Sequence, residues 1–211
     1  MKEEFIISLT ERLKRPLPGP IAHEPMRATP KGSVLPKFNF QEPPRKGAVL
    51  ILLYPNDNKL YFPLIKRATY RGVHSGQIAL PGGKSEPRDK DVLETALREA
   101  EEEIGIDRSK VELIGKLSDF FVIPSNFMVS PVLGFTTRQP VFNPDPTEVE
   151  RVLHASLEHI LLDKYLTRRT ILAGGVYEMD APCFDVEGEA VWGATAMMLN
   201  EFRTILRDIG L

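Results

Sequence analysis

The chain has 211 residues, with 27 Lys and Arg against 29 Asp and Glu, a net charge of −2 and 42% hydrophobic residues. That balance suits one domain with extensions and offers no broad positive field for nucleic acid. A single cysteine, Cys183, excludes an internal disulfide framework and fits a reducing compartment. No apolar run approaches the roughly 20 residues of a membrane span. The opening MKEEFIISLTERLKR lacks the charged-then-apolar order of a secretory signal. A cytoplasmic protein without nucleic-acid or membrane partners is expected.

In chain order, residues 1–15 read as a short amphipathic helix with Phe5, Ile6, Leu9 and Leu13 on one side. Its place is on its own domain or on a partner subunit, since mixed acids and bases argue against a membrane surface. Residues 16–44 hold eight prolines, which favour extended backbone without regular pairing. Ile21, Met26, Val34, Leu35 and Phe38 are interspersed, so this segment reads as an ordered arm lying on the domain. The arm could contribute to a homodimer or to a substrate wall. The chain therefore divides into residues 1–44, helix and arm, and a domain over 45–211.

Residues 47–54, GAVLILLY, form a strand-length apolar run of the kind buried on both faces. Asn56-Asp57-Asn58 marks a turn, and Lys59 to Lys66 returns as a second strand across a loop of several residues. Arg67, Arg71, His74, Ser75 and Gln77 then gather just before a tight turn at Pro81-Gly82-Gly83, and Lys84 follows it. Residues 111–117 and 128–136 read as strands, Pro131 suggesting an edge or bulge in the second. Phe120, Phe121 and Phe127 stand in the loop between them, as core, hydrophobic lid or a surface for stacking a base. Pro144-Asp145-Pro146 breaks the chain ahead of Glu148. Two or three short strands are expected in 167–191, including Thr170–Leu172, Cys183–Val186 and Ala190–Trp192, with turns at Gly174-Gly175 and Glu187-Gly188. A final amphipathic helix starts near Gly193, with Thr195 as an early polar cap and Ala196, Leu199, Phe202 and Leu206 as its core stripe.

The stretch between Leu80 and Ile106 carries the chemistry. After the glycine turn and a polar loop comes a helix whose Val92, Leu93, Ala96, Leu97, Ala100 and Ile104 make one apolar stripe. Arg98, Glu99, Glu102 and Glu103 fall on another arc. Glu99 and Glu103 repel as an i, i+4 like-charge pair. Glu101, Glu102 and Glu103 crowd a C-terminal turn where the helix dipole favours cations. A solvated acidic face is the ordinary meaning of such a run. A divalent cation would also relieve the repulsion, and Mg²⁺ prefers carboxylate oxygens together with phosphates.

This stretch resembles the Nudix box. Arg98-Glu99-Ala100-Glu101-Glu102-Glu103-Ile104-Gly105-Ile106 matches the second half of that motif completely. Counted from Gly83, the motif's isolated Glu falls on Asp89, with eight rather than seven residues between it and Arg98, so the loop is one residue longer. The segment before the box resembles a second motif, of the coenzyme A pyrophosphatase branch. Arg67-Ala68, Gly76 and Pro81-Gly82-Gly83 are kept, while Gly72 stands where an Arg is expected, with Arg71 one place earlier, Leu80 for Phe and Ile65 for Thr. The opening Trp192-Gly193-Ala194-Thr195-Ala196 resembles the last helix of coenzyme A and ADP-ribose pyrophosphatases.

The resemblance implies an α/β Nudix fold, a mixed β-sheet sandwiched between α-helices. It implies a pyrophosphohydrolase using Mg²⁺ or Mn²⁺ on Glu99, Glu102, Glu103 and the Gly82 carbonyl, with Glu99 or Glu148 as base and Arg98 orienting the carboxylates. Glu101 should be dispensable. Arg67, Arg71, His74, Gln77 and Lys84 would face a small-molecule diphosphate. Coenzyme A or a derivative, cut to 3′,5′-ADP and 4′-phosphopantetheine, is the implied substrate. ADP-ribose or another nucleoside diphosphate derivative is the alternative within the enzyme class, and a non-catalytic ligand-sensing domain the alternative outside it.

Overall fold

A computed structural model describes residues 2–32, 38–69 and 75–211. Its elements are α1 (Lys2–Leu13), α2 (Pro20–His23), β1 (Thr29–Pro30), β2 (Arg45–Asn56), β3 (Lys59–Arg67), β4 (Ile78–Ala79), β5 (Gly82–Lys84), α3 (Val92–Ile104), β6 (Glu112–Lys116), β7 (Phe120–Val122), β8 (Phe127–Phe135), β9 (Val149–Ser156), α4 (Leu157–Leu161), β10 (Leu166–Ala173), β11 (Tyr177–Val186), β12 (Glu189–Val191) and α5 (Gly193–Asp208). No helix among the described residues is long and apolar enough to cross a membrane.

The apolar run of β2 lies in the middle of the larger sheet. That sheet has eight strands in the order β4-β3-β2-β8-β6, with β5 added to β2, β7 to β8 and β9 to β3. It is mixed, because β2 runs parallel to β8 from Arg45 opposite Phe127 to Leu53 opposite Phe135, while its other pairings are antiparallel. Alternate residues of β2 serve two different cores. Ala48, Leu50 and Leu52 pack with Ala96, Ala100 and Ile104 of α3. Ile51 and Leu53 join the larger core on the other face, with Phe184 of β11 and Phe202 and Leu206 of α5. Covered on both sides, the strand has no need of polar alternation.

Several local readings change. The β2–β3 connection is a two-residue turn, Asp57-Asn58, because Asn56 pairs directly with Lys59. Both residues are left-handed, at φ 43° and 62°, which Asp and Asn tolerate better than other side chains. Pro131 sits at neither an edge nor a bulge. It lies where the neighbour of β8 changes from β7, at Val129, to β6, at Val132, and its carbonyl accepts the Leu117 N–H at 2.8 Å. The irregularity is in β6, between Leu113 and Gly115. Phe120 and Phe121 belong to β7, and Phe120 packs edge-on against His23 with ring centroids 5.0 Å apart. Thr195 does not cap α5; its hydroxyl donates to the Ile78 carbonyl at 3.4 Å.

The strands of 167–191 are longer than their sequence suggests. With β1 they build a second, antiparallel four-stranded sheet, β1-β11-β10, with β12 on β11. The proline-rich arm is more regular than its composition implies. Pro20 and Pro25 open short helical turns, where a missing N–H costs nothing. Thr29 and Pro30 pair with Asp180 and Met179. Met26 is buried, but Ile21 and Phe38 are exposed, and Val34 and Leu35 lie outside the described residues. Helix α1 packs on its own domain through Leu9, with Phe5, Ile6 and Leu13 around the same core.

One buried carboxylate holds the arm in place. Glu201 of α5 is fully buried and accepts hydrogen bonds from the Gly19 N–H at 3.0 Å, the Ser118 hydroxyl at 2.6 Å and, depending on its tautomer, His23 Nε2 at 2.9 Å. Burial alone would raise its pKa, but these hydrogen bonds hold it below the ordinary glutamate range. A depressed carboxyl stabilises above its unfolded value, about 4.3, and the contribution is lost as pH falls through the lowered value. Glu201→Gln is therefore expected to cost about 2–4 kcal/mol at pH 7 and to speed amide exchange over residues 19–23. Unchanged exchange there would show that the arm is held by apolar packing alone.

Candidate functional site

Helix α3 is fixed at both ends. At its start the Asp91 side chain accepts from the Leu93 and Glu94 N–H groups, each at 2.9 Å. At its end Gly105 is left-handed at φ 66° and donates to the Glu101 carbonyl. A Cβ at Gly105 would stand 2.6 Å from the Asn143 carbonyl oxygen, so a larger residue is excluded.

Arg98 is 5% exposed, and its guanidinium meets acceptors on every edge. Nε and Nη2 grip the two oxygens of Asp89 at 2.8 and 2.9 Å. Nη1 reaches Glu99 and Glu102, each at 2.9 Å, and Nη2 also reaches the Lys84 carbonyl at 2.9 Å. All five donors are engaged. Asp89 further accepts from the Thr95 hydroxyl and the Glu86 N–H, both at 2.9 Å. The Arg98 hydrogen bonds, chiefly, hold its carboxyl well below the usual range. Asp89 thus faces the arginine, not the carboxylate patch.

Glu103 is 2% exposed. Its carboxylate accepts the Gly82 N–H at 2.7 Å and lies 3.6 Å from Nη1 of Arg67. Burial pushes its pKa up to about 7 against the pull of Arg67 and Gly82, and Glu148 and Glu99 push it further the same way. Burial likewise raises Glu99, opposed by Arg98 and reinforced by Glu102 and Glu148. Glu148, far along the chain, therefore acts on both carboxylates through space.

The glycine turn lets backbone approach this patch. Gly82 is at φ 148°, and a Cβ on it would overlap the Ala48 carbonyl oxygen. A Cβ on Gly83 would overlap the Glu99 carboxylate. Gly82 thus lets β5 lie against β2, and Gly83 leaves room for the Glu99 carboxylate.

The structure brings together Arg67, Gly82, Arg98, Glu99, Glu102, Glu103 and Glu148. Lys84 takes part through its carbonyl, while its side chain is exposed. The Gln77 carbonyl accepts the Arg67 N–H at 3.1 Å. Arg71 and His74 lie outside the described residues. Glu101 points away and pairs with Arg108 at 3.2 Å. Thr95 and Arg88 escape sequence reading, although Thr95 sits one helical turn before Arg98 on the same face. Arg88 contacts Glu102 at 3.1 Å from an exposed loop position, which no spacing rule selects. Among the described residues, no three acidic, His or Cys side chains stand close enough as placed to enclose a metal ion, since Glu99 and Glu102 both turn onto Arg98.

Residues 44–173 match the model of the NUDIX domain. The chain belongs to the Nudix family. It is 39% identical over 170 residues to Nudix hydrolase 22, chloroplastic, of Arabidopsis thaliana, an alignment covering 77% of this chain and 56% of that protein. This chain therefore spans little more than half of that relative's length. It is 30% identical over 183 residues to the uncharacterized Nudix hydrolase NudL of Pectobacterium atrosepticum, covering 82% and 92% of the two chains. Its fold resembles RenU, a Nudix hydrolase from M. smegmatis, with a TM-score of 0.57 at 15% identity, covering 81% of this chain and 90% of that one. The mixed sheet between α3 and α5 is thus a Nudix fold, and Glu99, Glu102 and Glu103 lie on the helix of its box.

Asp89→Asn removes the charge that Arg98 grips while keeping the shape. Breaking a buried pair is expected to lower stability by about 2–3 kcal/mol at pH 7, read from the urea midpoint. The difference from the unsubstituted protein should shrink on acidification below about pH 4, where the unfolded aspartate protonates. An unchanged midpoint at pH 7 would mean that Glu99 and Glu102 suffice to hold the guanidinium.

Proposed function

We propose that this Nudix domain hydrolyses the diphosphate bond of a small organic substrate, with Mg²⁺ or Mn²⁺ held by Glu99, Glu102, Glu103 and the Gly82 carbonyl. Nudix hydrolases generally need divalent metal ions. The supporting observation is the charge imbalance around Glu103. Glu99, Glu102, Glu103 and Glu148 influence one region, and burial raises both Glu99 and Glu103. The cation built into the helix, Arg98, has no donor left over. Such a set of hard oxygen donors fits a divalent cation. An orphan donor points the same way: Nε of Arg67 is buried without a hydrogen-bond partner among the described residues, beside the carboxylate that a phosphate would approach.

When bound, the cation would neutralise diphosphate charge and acidify a water molecule. The protein's own residues supply the rest. Arg98 fixes the directions of Glu99 and Glu102 through charge-assisted hydrogen bonds. Glu99 takes a proton from the attacking water, with Glu148 as the second candidate for that role. The water oxygen bonds to phosphorus, the P–O–P bond breaks, and the leaving phosphate departs with the bridging oxygen. Arg67 supports Glu103 and meets phosphate charge. Coenzyme A or a derivative is the proposed substrate, on the strength of Arg67-Ala68, Gly76 and Pro81-Gly82-Gly83 before the box and Trp192-Gly193 with Thr195-Ala196 at the last helix.

The test is product release with Mg²⁺ and with Mn²⁺ across coenzyme A, ADP-ribose, NADH and a nucleoside triphosphate, the products identified by mass. Coenzyme A should lead and yield 3′,5′-ADP; a lead for ADP-ribose would overturn the substrate while leaving the reaction. Glu103→Gln should lower kcat/KM at least about a hundredfold without lowering Tm, since it removes a buried charge. Full activity in that variant would sink the metal assignment. Gly83→Ala should fold normally, because only the flexible end of Glu99 must move, yet lose about a hundredfold in rate through that displacement.

A further inference from the structure

The structure holds a second concavity. A cavity of about 580 Å³ lies between segment 75–78, the turn of the β10–β11 hairpin and the end of β12, within the size range of small-molecule sites. Ile78, Ile171, Leu172 and Trp192 give it apolar walls, and Gln77 and Glu189 add polar groups. Two short links relate its Gln77 wall to the carboxylate site. The Gln77 carbonyl accepts the Arg67 N–H at 3.1 Å, and the Arg67 guanidinium lies 3.6 Å from Glu103. Its two sides are also tied together, because Thr195, three residues after Trp192, donates its hydroxyl to the Ile78 carbonyl.

The charge of this cavity differs from that of the neighbouring site. Among the described residues no Lys or Arg lines it. Its one acid among the described residues, Glu189, pairs with Lys66 at 3.3 Å and Arg151 at 3.1 Å. Among the described residues, a phosphate placed here would meet a carboxylate and no lining cation. An uncharged group is favoured instead. One indole and three aliphatic walls do not form the two-sided aromatic or guanidinium clamp that suits a flat base. They suit an aliphatic chain carrying amides, whose methylenes lie on Ile171, Leu172 and Trp192 while its polar atoms meet Gln77 and the backbone of Gly174-Gly175. Leu172 is 55% exposed at the hairpin, outside either core. A ligand lying in the cavity would bury part of that side chain.

We infer that this cavity holds the uncharged, amide-bearing arm of an organic diphosphate, with Trp192 and Leu172 as the residues that set its specificity. The inference rests on the diphosphate reading above and adds the orientation of the substrate: arm toward Trp192, remaining phosphates and nucleoside on the other side of the scissile bond.

Trp192 is the single tryptophan of the chain, so its emission reports on this cavity without a label. The full chain is titrated in EDTA with pantetheine and, separately, with 3′,5′-ADP. Pantetheine should shift or quench the emission, and 3′,5′-ADP should not. In parallel, Trp192→Ala should raise KM for coenzyme A and cut the ratio of its kcat/KM to that of ADP-ribose, which lacks the arm, about tenfold. Leu172→Asp, at an exposed position that folding does not need, should cut the ratio in the same direction. Emission that answers 3′,5′-ADP but not pantetheine would reverse the orientation and overturn the inference. So would a ratio unchanged in both variants. If no diphosphate is hydrolysed while pantetheine still moves the Trp192 emission, the reaction assigned above fails and the binding site stands. If neither hydrolysis nor an emission change is seen, both fall.

Discussion

The structure around the box depends on one guanidinium. Arg98 is buried, and a buried cation persists only where its donors are satisfied and its charge is matched. Here the match comes from three directions: Asp89 in the preceding loop, Glu99 and Glu102 on the same helix, and the Lys84 carbonyl at the end of β5. One side chain therefore sets the loop, the helix face and the edge of the sheet relative to each other. The helix alone could not do this. Its like charges oppose folding locally, so its geometry is imposed by tertiary contacts.

The arrangement also divides the carboxylates by task. Asp89 is held ionised and enclosed, which suits a purely structural anion. Glu103 sits with its pKa raised by burial to about 7, only partly offset by Arg67 and the Gly82 N–H. Glu99 lies between these limits, touched by Arg98 on one side and pressed against Gly83 on the other. Stability is thus concentrated at the Arg98–Asp89 pair and withheld from the groups that face a ligand, the usual separation at sites tuned for chemistry.

Much of this was legible from residues alone, and the parts that were not have separate physical causes. The box helix announces itself because both its apolar stripe and its acidic arc follow the 3.6-residue period. Strand β2 does so because burial on two faces demands an unbroken apolar run. The second sheet is under-read since β10 exposes one face and carries Arg168 and Arg169, whose partners Asp180 and Asp185 stand across the hairpin on β11. Its stability lies in cross-strand pairs that a local window does not see. The arm is under-read for another reason: proline breaks helices in their interiors but begins them well, and Pro20 and Pro25 are of the second kind. Asp89 could be placed by counting from Gly83, yet its grip on Arg98 rather than on the patch needed three dimensions. Glu148 reaches the site only because β9 pairs with β3.

The contact between the two terminal helices has a consequence for anything joined to either end of the chain. Arg12 of α1 meets Asp208 of α5 at 2.8 Å, and both helices cover the face of the larger sheet that carries Ile51 and Leu53. The carboxylates of α3 lie across the opposite face. Polypeptide appended at either end of this domain would emerge on the far side of the sheet from the box. A fusion tag or surface tether placed at either terminus should leave the mouth of the site open.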